Sequence, residues 1–397
     1  MNDKPLRFAA IVALLLAGVF AGAQLGKIAP LVDWYRDGIG LSLVTIGWLT
    51  SMIGIFVALV ALPAGWVIGA GGLGRSFRWS ALFLVVGGIG LAFFEAPLLV
   101  LAARLVEGLG YLVLVIALPA ILSAISLPRW RGPVLAMWGG FVAVGFATAD
   151  FLARWIVPAT GQRSYLLAVV LGFALFAALG MLLLSRLVPE AEGDTARQGT
   201  AARPGIGATL GFEVVVAALA FGLYVILSVG FFAFMPAYAA DGPGLLLSAG
   251  SIALLVPIGN VLTSLFVRGG DARLAALLAA TGFAVSALVA VPAFAGSDPL
   301  MVTLAAAAFA IAGGVTASAL FAALPFIVPR GGSVAVAIGL VAQTGGIGTV
   351  VGPPLAGFVI ETHGWPGFAW LLLATALAGF LATLPLLRRR GRDQFAV

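Results

Sequence analysis

Leu98-Leu99-Val100-Leu101-Ala102-Ala103-Arg104-Leu105-Val106-Glu107-Gly108-Leu109-Gly110-Tyr111, continued with no further charge to Leu127-Pro128-Arg129-Trp130-Arg131, decides the fold of this chain. A lipid core about 30 Å thick needs roughly 20 apolar residues per helix, and this run exceeds that length. It closes on a proline and two arginines, and it holds only two ionisable residues, three positions apart. The same three features recur along the sequence: long apolar runs, basic residues in the gaps, and a few charges stranded inside.

Working outward, twelve such runs are read at 8–32, 42–70, 79–94, 98–127, 133–157, 164–187, 211–236, 246–267, 274–295, 300–328, 333–360 and 367–387. With 62% hydrophobic and 9% charged residues, a soluble core of this length is excluded. Of the 21 Lys and Arg, 16 fall in alternate gaps, from Lys4, Arg7, Arg75 and Arg78 to Arg388, Arg389, Arg390 and Arg392. Arg36 and Arg163 alone fall in the intervening gaps. A cytoplasmic excess of Lys and Arg in short loops orients a membrane protein. The expectation is therefore an all-α protein of twelve transmembrane helices with both termini cytoplasmic, in a bacterial inner membrane. The short run 79–94 is expected to gain length by Arg78 snorkelling. The first run is too long for a signal-peptide core and is read as retained.

A formal net charge of +6 is compatible with a nucleic-acid partner, but the basic residues stand at helix ends, singly or in pairs, which is the membrane pattern. The Arg388–Arg392 run reads as a contact for anionic headgroups. Zero cysteines exclude disulfides and thiolate metal sites, and a single histidine, His363, excludes a histidine cluster. No cofactor, no metal, no nucleic acid and no obligate protein partner is expected.

The polar stretch from Pro189 to Pro204 cannot bury apolar surface and reads as a flexible cytoplasmic linker. It divides the chain into an N-terminal six-helix bundle (1–188), a linker (189–210) and a C-terminal six-helix bundle (211–397). The halves echo each other: Leu118-Pro119 and Leu127-Pro128-Arg129 in one, Leu324-Pro325 and Val328-Pro329-Arg330 in the other, each followed by a glycine-rich helix. Repeated halves around a midplane site are a property of alternating-access transporters.

These features resemble the major facilitator superfamily over essentially the whole length. Arg104-Leu105-Val106-Glu107-Gly108-Leu109-Gly110 is similar to that family's Arg-x-x-Gln-Gly-x-Gly, with Glu107 in place of the usual Gln. Gly65-Trp66-Val67-Ile68-Gly69-Ala70-Gly71-Gly72-Leu73-Gly74-Arg75 looks like a degraded form of its loop signature. Gly69 and Ala70 stand where an aspartate and a basic residue usually do. Gln343-Thr344-Gly345-Gly346-Ile347-Gly348 through Gly357 resembles its penultimate helix. The passages 130–138 and 234–238 resemble the cyanate-transporter-like branch. Gly145-Phe146 stands where drug–proton antiporters carry a Gly-Pro pair, which counts against an exporter. The resemblance implies two pseudo-symmetric six-helix bundles and transport without ATP.

Five ionisable residues lie inside predicted spans: Lys27, Arg104, Glu107, Asp150 and Arg154. Each costs a few kcal/mol if it faces lipid at the bilayer centre, so all five are expected to face inward and to pair. Arg104 and Glu107 share a helix face, as do Asp150 and Arg154, and Lys27 faces the same way as Gln24. All five fall at a similar depth on the outer side. Three explanations stay open: a salt-bridge network tying helices together, a site for an anionic solute, and a proton relay at Glu107 or Asp150. The expected function is proton-coupled movement of a small, anionic solute, with the five residues on its path. A multidrug or metabolite exporter of the same fold and a non-transporting membrane receptor are the alternatives, and no nucleophile–base pair or metal cluster points to an enzyme. Tyr224, Ser228, Asn260, Thr316 and Gln343 are the neutral polar groups expected at mid-depth in the second half.

Overall fold

The computed structural model describes residues 4–31, 34–41, 43–198, 206–241, 244–267 and 271–387. The helices of the first half are α1 (Lys4–Gly26), α2 (Leu43–Gly71), α3 (Leu73–Phe93), α4 (Pro97–Ile125), α5 (Pro128–Gly139), α6 (Phe141–Thr160) and α7 (Gln162–Gln198). A four-residue helix α8 (Ile206–Thr209) precedes α9 (Phe212–Asp241), α10 (Ala249–Ala253), α11 (Val256–Phe266), α12 (Ala272–Ala295), α13 (Pro299–Ile327) and α14 (Val334–Leu387). Eleven segments are long and apolar enough to cross a bilayer. The last has 54 residues and would reach about 80 Å if straight. It turns back at Gly364, whose φ of 66° suits only glycine well, so it makes two crossings and the total is twelve. Arg7 Nη1 donates to the Ile125 carbonyl at 3.0 Å, fixing the start of the first span beside the end of the fourth.

Local chemistry sets the boundaries. Pro97, Pro128 and Pro299 stand in the first turns of α4, α5 and α13, where a missing N–H costs nothing. Asp271 caps α12 by accepting from the Arg273 and Leu274 amides, and Asp298 caps α13 by accepting from the Met301 amide. Large apolar side chains such as Leu98 (77% exposed) and Trp155 (69%) point away from the bundle, which only a lipid surround makes tolerable.

Four expectations change. The third helix begins at Leu73, so its length comes from earlier residues, with Arg75 and Arg78 exposed on its first turns, rather than from snorkelling. The run 133–157 is broken: α5 ends at Gly139 and α6 begins at Phe141, with Gly140 at φ −99°, ψ 5°. The run 246–267 is broken likewise between α10 and α11. Helix α7 continues to Gln198, so the polar stretch begins as helix rather than as a flexible linker. Residues 199–205, and with them Arg203, lie outside the described residues, as do Arg268 and the Arg388–Arg392 run.

The halves meet through small residues. Gly65 on α2 packs against Gly339 on α14, and Gly139 against Ala317 and Ser318 on α13. Gln343 accepts from the Leu62 amide at 3.1 Å and donates to the Leu59 carbonyl at 3.3 Å, pinning α14 to α2. These contacts lie toward the end bearing Arg75, Arg129 and Arg330, which we call the basic end. Toward the other end, the short α10 rests on α6, with Gly250 against Asp150.

Candidate functional site

Helix α1 stops at Gly26, and its last carbonyls have no partner within the helix. Arg104, projecting from α4, fills that role. Its Nη1 donates to the Gln24 carbonyl at 2.7 Å and its Nη2 to the Leu25 carbonyl at 3.3 Å, while Nε donates to the Leu49 carbonyl of α2 at 2.8 Å. A cation at a helix C-terminus also meets the negative end of the helix dipole. One side chain thus joins the first, second and fourth spans.

Glu107, one turn further along α4, sits between two cations. Its Oε2 accepts from Arg104 Nη1 at 2.7 Å and its Oε1 from Lys27 Nζ at 2.5 Å. Lys27 also donates to Gln24 Oε1 at 2.6 Å, and Gln24 Nε2 donates to the Val169 carbonyl of α7. Gln24, Lys27, Arg104 and Glu107 are all fully buried. Gly87 and Gly88 on α3 allow that burial: a methyl group at Gly87 would come within 2.7 Å of the Glu107 amide, and one at Gly88 within 3.0 Å of Glu107 Oε1.

Beyond the triad, toward the end opposite the basic one, Tyr165 donates to the Lys27 carbonyl at 3.3 Å. Tyr35, in the turn after the first span, is fully buried, with no partner for its hydroxyl among the described residues. Burial pushes that hydroxyl well above the ordinary tyrosine value, with Arg104 pulling it down, so Tyr35 stays protonated.

The five sequence-predicted residues therefore form two groups, not one. Lys27, Arg104 and Glu107 make the buried triad. Asp150 and Arg154 pair with each other at 2.9 Å on α6, with side chains 36% and 56% exposed, beside Gly250 of the other half. An exposed pair at this spacing contributes at most about 1 kcal/mol. Sequence position gives depth along a helix but not direction around the bundle, which is why one cluster was expected. Gly87 and Gly88 were not singled out; two adjacent glycines in a run facing a charged helix are the signal that was available.

Between the halves lies a cavity of about 80 Å³. Tyr111, Trp138 and Phe141 of the first half line it with Phe221, Tyr224 and Ser228 of the second, and Leu25 lies in the same wall. No ionisable side chain among the described residues other than the tyrosines lines it. Of the neutral groups expected there, Tyr224 and Ser228 are present. Asn260 instead accepts from Ser318 Oγ at 2.6 Å, Thr316 is spent on the Ala312 carbonyl of its own helix, and Gln343 holds α14 to α2.

A family profile for the Major Facilitator Superfamily matches residues 14–270. The chain belongs to that superfamily. Among curated relatives of this major facilitator protein, the arabinose-proton symporter of Escherichia coli K12 is 28% identical over 159 residues, 40% of this chain and 34% of the symporter. The galactose-proton symporter of the same strain is 24% identical over 183 residues, 46% of this chain and 39% of the symporter. The chain thus spans little more than a third of the length of these relatives. Two solved structures share the major facilitator fold over nearly the whole chain. The proton:xylose symporter XylE, bound to 6-bromo-6-deoxy-D-glucose, superposes with a TM-score of 0.75 at 14% identity, covering 97% of each chain. The human organic anion transporter MFSD10 superposes with a TM-score of 0.71 at 15% identity, covering 96% of this chain and 100% of that one.

Proposed function

We propose that this protein is a secondary transporter that moves a small solute by alternating access, with Glu107 as the group that carries the coupled proton. The basic end faces the cytoplasm in this reading, by the positive-inside rule, and the host membrane is a bacterial inner membrane. The observation that carries the reading is the Glu107 carboxylate, fully buried and bridging Lys27 and Arg104. Ionised, it leaves the triad at +1; protonated, it leaves two cations facing each other in a dry interior. Buried like charges cannot both persist without moving, losing a proton or gaining water. Arg104 is held by three carbonyls, whereas Lys27 Nζ has one other partner, Gln24 Oε1, so Lys27 is the more readily released of the two. The Leu25 carbonyl is bound by Arg104, and Leu25 is one of the residues lining the cavity, so a change at Glu107 reaches the cavity wall through one residue.

The solute in this reading is uncharged. The sequence favoured an anion because the charges sum to +1, but Lys27 and Arg104 are turned away from the cavity and engaged, and its wall offers no counter-ion. The symporter relatives support proton coupling. The aromatic wall favours a second reading, export of apolar metabolites, which the same proton carrier would serve.

The test is proton movement in proteoliposomes. A pH dye inside the vesicles should report solute-driven proton flux with uncharged solutes, and Glu107→Gln should abolish the flux while solute still binds. Flux of unchanged pH dependence in Glu107→Gln would remove Glu107 from the mechanism.

A further inference from the structure

Five buried polar atoms have no hydrogen-bond partner among the described residues: Tyr35 Oη, Ser126 Oγ, Arg131 Nε, Trp138 Nε1 and Ser286 Oγ. Only Trp138 among these residues lines the central cavity. Buried donors are almost always paired, so an unpaired one at a cavity wall needs a reason.

The packing of the indole supplies its direction. Trp138 is fully buried on the last turn of α5, next to the break at Gly139 and Gly140. One ring face stacks on Phe141, with centroids 4.1 Å apart and planes 12° from parallel. The Cε3–Cζ3 edge is wedged against Gly18 of α1, where a methyl group would lie 3.1 Å from Cε3. Nε1 lies on the opposite edge of the ring, away from α1, and is itself buried in this arrangement, while Trp138 is one of the residues lining the cavity between the halves. None of the hydroxyls that line the same cavity, those of Tyr111, Tyr224, Ser228 and Thr349, accepts from Nε1.

We propose that Trp138 Nε1 is the hydrogen-bond donor that recognises the transported solute, and that the solute is an uncharged molecule carrying an acceptor oxygen on a flat, largely apolar body. An indole N–H only donates, so its complement must be an acceptor such as a carbonyl or ether oxygen. Phe141, Tyr111, Phe221, Tyr224 and Phe321 form walls that fit a flat apolar body and carry no charge to pair with an ion. The cavity's present 80 Å³ is well below the roughly 300–1,000 Å³ of ligand pockets, so the solute enters as the halves part.

This inference rests on the transport reading for the word solute, and the test is a binding measurement with no gradient, so the two can fail separately. Indole 15N labelling resolves the nine tryptophans, and Trp138→Phe assigns the resonance. Two matched probe pairs are titrated into the detergent-solubilised protein: acetophenone against α-methylstyrene, and cyclohexanone against methylenecyclohexane. Each pair differs by a carbonyl oxygen replaced with a methylene. The expected result is that the ketones move the Trp138 N–H resonance and bind about tenfold better than their partners, and that Trp138→Phe removes the preference. Equal binding within each pair, a preference that survives in Trp138→Phe, or a resonance that neither ketone moves would overturn the proposal. Should Trp138→Phe fold poorly, changing the other eight tryptophans to Phe one at a time assigns the Trp138 resonance by elimination, and its response in the unaltered protein decides.

Discussion

The first and fourth spans of each half meet in the same topological place, yet they are joined by opposite chemistry. In the first half, α1 and α4 are joined by Lys27, Glu107 and Arg104, all ionisable and fully buried. In the second, α9 and α13 are joined by Phe231 stacked on Phe309, centroids 4.3 Å apart, with Phe294 edge-on at 5.6 Å. The aromatic version shows that the fold can hold this helix pair with apolar groups alone. A buried ion pair is weak evidence for stability, since well-packed apolar residues often do as well or better. On the proposed reading the triad does what phenylalanines cannot, which is to bind and release a proton, and the halves divide the labour: the first carries the proton, the second supplies a stiff aromatic block.

Removing the shared carboxylate should break the comparison most severely. Glu107→Ala leaves Lys27 and Arg104 buried without a counter-charge and should cost about 3–5 kcal/mol, read as loss of folded protein in thermal or denaturant melts. Adding Lys27→Met to Glu107→Ala should recover part of that loss, because it removes one of the stranded charges. A double variant no better than the single would mean the three groups do not act as a unit. On the aromatic side, Phe309→Leu should cost roughly 1 kcal/mol, with no change in the pH dependence of transport, since Phe231, Phe294 and Phe309 carry no ionisable group. A changed pH profile in that variant would deny the division of labour. The smallest effect belongs to the exposed pair: Asp150→Asn should move stability by less than about 1 kcal/mol, screened further by salt. A loss comparable to that of Glu107→Ala would return Asp150 to the triad's company.

Much of this was legible before any coordinates. Hydropathy and the alternation of basic gaps give twelve crossings, because lipid forces both. Lys27, Arg104 and Glu107 stood out because charge inside an apolar run demands a partner. What was hidden depends on rotation and on tertiary contact. Asp150 and Arg154 share the expected depth but face another side of the bundle. The break at Gly140 sits where that glycine packs on Asn260 of the facing half, and hydropathy registers neither it nor the break between Ala253 and Val256. Phe231 and Phe232 are neighbours in sequence, yet one belongs to the aromatic block and the other to the cavity wall. Trp138 read as part of a family motif, and its unpaired N–H is visible only once Gly18 and Phe141 are in place.

The tie between Lys27 and Glu107 spans 80 residues of chain. At about 5–20 residues per second, a ribosome needs roughly 4–16 s to make that stretch. For that interval the nascent first helix carries a lysine near its end whose carboxylate partner has not yet been synthesised. It must wait in the polar lateral opening of the insertion machinery, or with its ammonium drawn up to the headgroups, until the fourth helix arrives. The order of synthesis thus makes the first half's assembly a delayed, all-at-once event, while the phenylalanines of the second half can enter lipid one helix at a time.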